Sequence, residues 1–248
     1  MLVTQLKYDL LMFSRELFYL VFTIFVPPAT YVFMGQLFGE QTYAGNLSYV
    51  QTYTPSFILV ITFTVVFFAF GFDQVTHRTT GVEKRIYLSP VSKNTLLLSS
   101  IIRSIIITSL GFGFISIIGL LMYDLEFQLL GLITSYGFFI LLNAALLVIA
   151  SAIYSFFKNM NSALVFSIVI FQVVIFTGGF AMPISMMPKF IQVIADFNPM
   201  YHMNNLFIAV WNGQLTFDNN VFLSIGYIGA LVAIALVTLR IQNKRKIG

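Results

Sequence analysis

The chain has 248 residues, of which 58% are hydrophobic and 9% charged, with a net charge of +4 and no cysteine. An ordinary soluble domain carries about 25% charged residues, so this composition cannot clothe a water-soluble core, and it excludes a soluble enzyme or a nucleic-acid-binding domain. Without cysteine there is no disulfide framework, zinc–thiolate cluster or thiol nucleophile to consider.

In chain order, residues 1–16 come first. Leu2, Leu6, Leu10, Phe13 and Leu17 form one helical stripe, while Lys7, Asp9, Arg15 and Glu16 fall mostly elsewhere. The pattern predicts an amphipathic helix lying in the membrane interface, with a simple extension of the first span as the alternative. It lacks the basic start, short apolar core and small-residue cleavage site of a signal peptide.

Six spans follow, at about 17–38, 55–72, 96–122, 129–157, 162–180 and 221–239. Each approaches the roughly 20 apolar residues needed to cross a bilayer. Pro27 and Pro28 should kink or locally unwind the first. Pro55 is expected at the start of the second, where its missing N–H costs least.

Orientation follows from the basic residues of the loops. With the N-terminus in the cytoplasm, twelve of the thirteen Lys and Arg residues fall inside, and only Lys189 falls outside. An odd number of spans would put Lys244, Arg245 and Lys246 on the wrong side. Six spans with both termini cytoplasmic is the topology that this asymmetry selects.

Two connections stand out within what reads as a single 1–248 membrane domain. Residues 73–94 form a basic cytoplasmic segment in which Thr80 and Glu83 have capping-box spacing, so a short charged helix is expected there. Such a helix suits docking of a soluble partner; a solvated basic loop is the plain alternative. Residues 181–220 form an outer segment carrying Pro183, Pro188 and Pro199 and an apolar stripe at Met187, Phe190, Ile191 and Ile194. Short helices dipping into the outer leaflet and packing on the spans are expected.

Chemistry-bearing motifs are missing from the sequence. There is no phosphate-binding loop of the G-x-x-x-x-G-K-[ST] type, no H-E-x-x-H and no G-x-S-x-G. His77 and His202 fall on opposite sides of the membrane and cannot share a metal. The spans are almost bare of charge, with Asp73 and Arg103 near cytoplasmic ends, whereas ion-coupled transporters carry titrating groups in the core. The deep polar groups, Thr62, Thr64, Thr108, Asn143 and Gln172, suit hydrogen bonding between helices.

With these features in place, the chain resembles the permease subunit of a type-2 ATP-binding-cassette (ABC) exporter over essentially its whole length. Arg15 precedes a first span with a central proline, Pro27. Tyr53-Thr54-Pro55 is similar to the family's opening of the second span, although Ser56 replaces the usual glycine. The stretch from Arg78 to Ser92 resembles the family's coupling pattern through Gly81, Ser89, Pro90, Val91 and Ser92. Gly178-Gly179-Phe180-Ala181-Met182-Pro183, then Pro188 and Asn198-Pro199-Met200-Tyr201, is similar to its outer signature.

The resemblance implies an all-α membrane protein that is not itself catalytic. It would work with two cytoplasmic ATPase subunits, which bind the ATP and Mg, and with a second permease copy or a paralogue, among membrane lipids in a bacterial plasma membrane. Arg78, Thr80, Gly81, Glu83, Lys84, Arg85, Tyr87, Ser89 and Pro90 would then meet the ATPase. Thr62, Phe63, Phe67, Phe171, Gln172 and Phe176 would line a path along a two-fold axis. Gly179, Pro183, Pro188, Asn198 and Pro199 would shape the outer re-entrant region. The cargo would be an amphiphilic small molecule, a drug or antibiotic, or a peptide, with a lipid or lipid-linked glycan as the variant. An ion-coupled transporter or channel is the competing class, and an intramembrane enzyme a distant third.

Overall fold

The computed structural model describes residues 2–15, 21–39, 41–42, 47–81, 93–126, 128–216 and 218–247. The described residues are helical almost throughout, with a single isolated bridge between Thr42 and Ser48 and no extended strand. Helix α1 is Leu2–Arg15. A π-helical turn, Val21–Phe25, leads into α2, Val26–Phe38. Helix α3 runs without a break over Tyr49–Thr79. Then come α4, Lys93–Tyr123, α5, Leu129–Tyr154, and α6, Met160–Thr177. A 3-10 turn, Ile184–Met186, precedes α7, Lys189–Asp196, α8, Pro199–Trp211, and α9, Asn219–Ile247.

Five of these helices are long and apolar enough to cross a membrane: α3, α4, α5, α6 and α9. Those are the expected second to sixth spans. The expected first span begins at 17, and residues 16–20 lie outside the described residues, so only its portion from the π turn onward is seen. Pro27 and Pro28 fall in the first turn of α2, where missing N–H groups leave no gap, and the pitch changes from π to α just ahead of them.

Helix α3 is longer than the sequence reading allowed, at both ends. The Ser48 hydroxyl caps it by accepting from Gln51 N at 3.1 Å, and burial of Tyr49, Val50 and Tyr53 rewards the added turns. Pro55 therefore lies inside the helix rather than at its start. In the turn that Pro55 interrupts, Thr54 Oγ1 donates back to Val50 O at 2.6 Å. At the far end the helix continues past 73, where the span was expected to give way to the cytoplasmic segment, and closes at Thr80, whose N–H and hydroxyl both reach Thr76 O. Gly81 follows with φ of +71°, the left-handed conformation that ends helices. Thr80, expected to start a helix, thus ends one.

The stripe predicted for the N-terminal helix faces inward: Phe13 is buried, Leu2, Leu6 and Leu10 are half-buried, and Ser99 of α4 donates to Asp9 Oδ2 at 2.6 Å. Between α6 and α9 the chain forms short helices, each opened by a proline. Helix α8 sits among the long helices, packed on α3, α5 and α9, with Met203 and Phe207 fully buried.

Candidate functional site

Three places in the bundle bring chemistry together, and the first is the Thr79 end of α3. Here α3 is fastened directly to two neighbours, and through one of them to a third. Asp73 forms an ion pair with Arg103 of α4. Gln74 Nε2 donates to Ser151 Oγ of α5 at 3.0 Å. Arg78 Nη1 donates to the carbonyls of Tyr154, Ser155 and Phe157 at 3.3, 3.1 and 2.9 Å. A helix leaves its last carbonyls unpaired and carries partial negative charge there, so one guanidinium satisfies both demands of the α5 terminus.

Tyr154 is the centre of this joint. Its ring lies edge-on to Phe67 and Phe72 of α3, and its hydroxyl bonds Ser167 of α6. Gly71 is pressed so close to that ring that a Cβ would collide with it. The sequence reading passed over Tyr154, which carries no motif and ends an apolar run like any interfacial tyrosine. Arg78, Thr80 and Gly81 of the expected coupling set lie here, with Arg78 turned inward onto α5. Glu83, Lys84, Arg85, Tyr87, Ser89 and Pro90 lie outside the described residues.

The second place concerns the expected path residues, which the structure divides. Phe63 and Phe67 are buried and stack at 4.2 Å, and Phe63 meets the half-buried Phe171 of α6 at 6.2 Å. Thr62 is fully buried, with its hydroxyl returned to Ile58 O at 2.9 Å. Gln172 and Phe176 lie on the exposed side of α6. Beside these aromatics, α2, α3 and α6 enclose an apolar cleft of about 340 Å³, lined in part by Pro27, Met34, Phe57, Thr64, Phe171 and Phe176. Its polar content is close to nil, so it suits the apolar body of a ligand.

The outer segment closes the same cleft. Gly179, at φ of +67°, reverses the chain after α6. Asn204 of α8 donates to the carbonyls of Gly178 and Gly179 at 3.1 and 3.0 Å. Asn198 caps α8 by accepting from Met200 N at 2.9 Å and donates to Thr177 Oγ1 at 2.8 Å. Pro183 and Pro188 stand immediately before the 3-10 turn and α7, and Pro199 is the first residue of α8.

The third place is a polar cavity at the opposite end of α3 from Arg78, taken up below. Among the described residues no group of three or more His, Asp or Glu is placed to hold a metal.

The model of a family described as ABC-2 family transporter protein matches residues 17–241, most of the chain. The chain belongs to the ABC-2 transporter family. Among curated proteins, none matches its sequence. An ABC-2 membrane subunit is a transport component that works with ATPase partner subunits, and that assignment agrees with a bundle of apolar helices whose joint at Arg78 ties one central helix to its neighbours.

Proposed function

We propose that this ABC-2 chain is the permease subunit of an ATP-driven exporter that moves an amphiphilic small molecule or peptide out of a bacterial cell. Two such permeases, identical or paralogous, work with two ATPase subunits, which hold the ATP and Mg. Both termini lie in the cytoplasm, as the twelve-to-one distribution of basic residues favours. Helices α7 and α8 then form the re-entrant outer region.

The observation that carries the reading is the fastening of the α3 terminus to α4 and α5, with Tyr154 of α5 bonded in turn to α6. A partner pressing on residues 79–92, through Glu83, Lys84, Arg85, Ser89 and Pro90, moves α3, and α3 carries its bonded neighbours α4 and α5 with it. The apolar cleft beside Phe171 receives the cargo from the membrane. Its aromatic, uncharged lining favours an amphiphile over an ion.

The test is co-expression with the ATPase encoded nearest the gene, purification and reconstitution. The triple charge reversal E83K/K84E/R85E is expected to abolish co-purification and cargo-stimulated ATP hydrolysis. Wild-type association and stimulation in that variant would overturn the docking claim. Transport by the permease alone, driven by a proton gradient, would replace the whole reading with an ion-coupled one.

A further inference from the structure

The polar cavity at the Tyr49 end of α3 has a chemistry that the export reading does not use. Its volume is about 790 Å³, within the roughly 300–1,000 Å³ of small-molecule sites. The N-terminus of α3, the turn between α4 and α5, the start of α5 and the end of α8 enclose it. Asp124 and Glu126 line it, together with Tyr123 and Trp211, and no Lys, Arg or His is among its described lining residues.

The lining also offers acceptor atoms on Ser135 and Asn212. Ser135 is only 1% exposed, lines the cavity and has no hydrogen-bond partner among the described residues. A helical serine would ordinarily return its hydroxyl to the preceding turn; this one does not. Asn212 Oδ1 is likewise buried without a donor among the described residues. Buried polar groups left unpaired cost on the order of 1–3 kcal/mol each, so an occupant with N–H donors is rewarded.

The wall is also held in shape. Gln51 grips the Glu126 backbone from both sides, donating to its carbonyl at 3.4 Å and accepting from its N–H at 3.3 Å. Tyr123 OH donates to Val32 O at 2.6 Å. Between them Asp124 is kept at φ of +49°, a conformation that costs a non-glycine residue energy and is concentrated at ligand sites.

From these features we infer that the cavity binds an organic cation of small-drug size, a primary ammonium or guanidinium on an aromatic or aliphatic body. The carboxylates neutralise the charge, Ser135 and Asn212 take its N–H donors, and Tyr123 and Trp211 flank it as aromatic surfaces suited to cations. A metal ion is the poorer occupant, since two carboxylates without a third acidic or imidazole ligand leave its coordination sphere short. The site stands apart from the cleft beside Phe171, and binding there does not depend on ATP-driven export.

Trp211 is the single tryptophan of the chain and lines this cavity, so the emission read in the titration comes from this wall. The purified full chain in lipid nanodiscs is titrated with 4-phenylbutylammonium, with its uncharged counterpart 4-phenylbutanol, and with calcium. The expected result is a saturable emission change with the ammonium and none with the alcohol or calcium. D124N/E126Q should weaken the ammonium response about tenfold or more, and Ser135→Ala by a smaller factor. Should the double variant lose helicity, Glu126→Gln alone carries the same expectation of weakening, because that side chain is exposed. Equal responses to ammonium and alcohol, a response to calcium alone, or unaltered ammonium binding in a folded carboxamide variant would overturn the inference.

Discussion

Helices α3 and α6 are equally plain as sequence, two apolar runs with no charge at their centres, yet the fold uses them in opposite ways. The most apolar stretch of α3 is 94% buried inside the chain, and that of α6 only 22%. Helix α3 touches almost every neighbour, whereas α6 turns Val165, Val169, Gln172 and Phe176 outward. One apolar helix serves as an internal strut and the other as a wall. In a membrane both are equally comfortable, because lipid tails are as apolar as a protein core and only packing distinguishes the two settings.

The comparison is broken most severely by emptying a site on α3. Phe67→Ala removes a ring stacked on Phe63 and set against Tyr154. It is expected to cost about 3 kcal/mol, from the low end of buried Phe→Ala values because the transfer part is muted in lipid. Thermal unfolding in detergent should show it. Phe176→Ala on the outward face of α6 should stay within about 0.5 kcal/mol while lowering cargo transport in proteoliposomes. Equal destabilisation by the two would mean that α3 and α6 are not different kinds of helix.

Next in size is Asp73→Ala. It removes the carboxylate paired with the buried Arg103 guanidinium and is expected to cost about 2–3 kcal/mol, less than a fully buried pair because Asp73 keeps a third of its side chain exposed. The double variant D73A/R103A should recover part of that loss in the same melting experiment; no recovery would show that the pair is not coupled. Arg78→Lys keeps the charge but replaces a flat fork with a point donor. We expect about 1–2 kcal/mol of lost stability, together with faster amide exchange in the last turn of α5. Exchange confined to α3 would contradict the capping role.

The smallest effect sharpens the same contrast. Tyr154→Phe keeps the ring against Phe67 and Phe72 and deletes only the bond to Ser167 of α6. A loss of about 1 kcal/mol, with a larger fractional loss of ATPase coupling than of stability, would place α6 at the end of the chain of contacts from α3.

The five long helices were legible in the sequence because uncharged runs of that length have few other fates. The ends of α3 were not. Tyr49, Tyr53 and the turns from Asp73 to Thr79 look polar to a membrane reading, and their burial comes from protein partners far away in the chain, such as Ala181 for Tyr49 at 132 residues and Phe157 for Arg78 at 79. Asp73 and Arg103 were assigned to the same end of the bundle, but nothing in either neighbourhood reveals that they pair. Arg78 was counted among the cytoplasmic charges and the coupling residues, and its three carbonyl partners belong to the end of another helix. The prolines of the outer segment were the clearest signal, since each marks where a short helix begins. Of the expected path residues, Phe63, Phe67 and Phe171 converge, while Thr62 returns its hydroxyl to Ile58 and Gln172 lies on the exposed side of α6.

Helix α3 also carries a π-helical segment, Val65–Phe70, where Gly71 N–H bonds the carbonyl of Val66 five residues back. One such wide turn slips the angular phase of all later side chains by roughly one residue, about 100°. The two halves of α3 are therefore separate wheels on a common axle. A helical-wheel projection drawn straight through Tyr49 to Thr79 assigns the wrong neighbours to every residue beyond 70, and any cross-linking or cysteine-scanning study of this helix has to be indexed from each half independently.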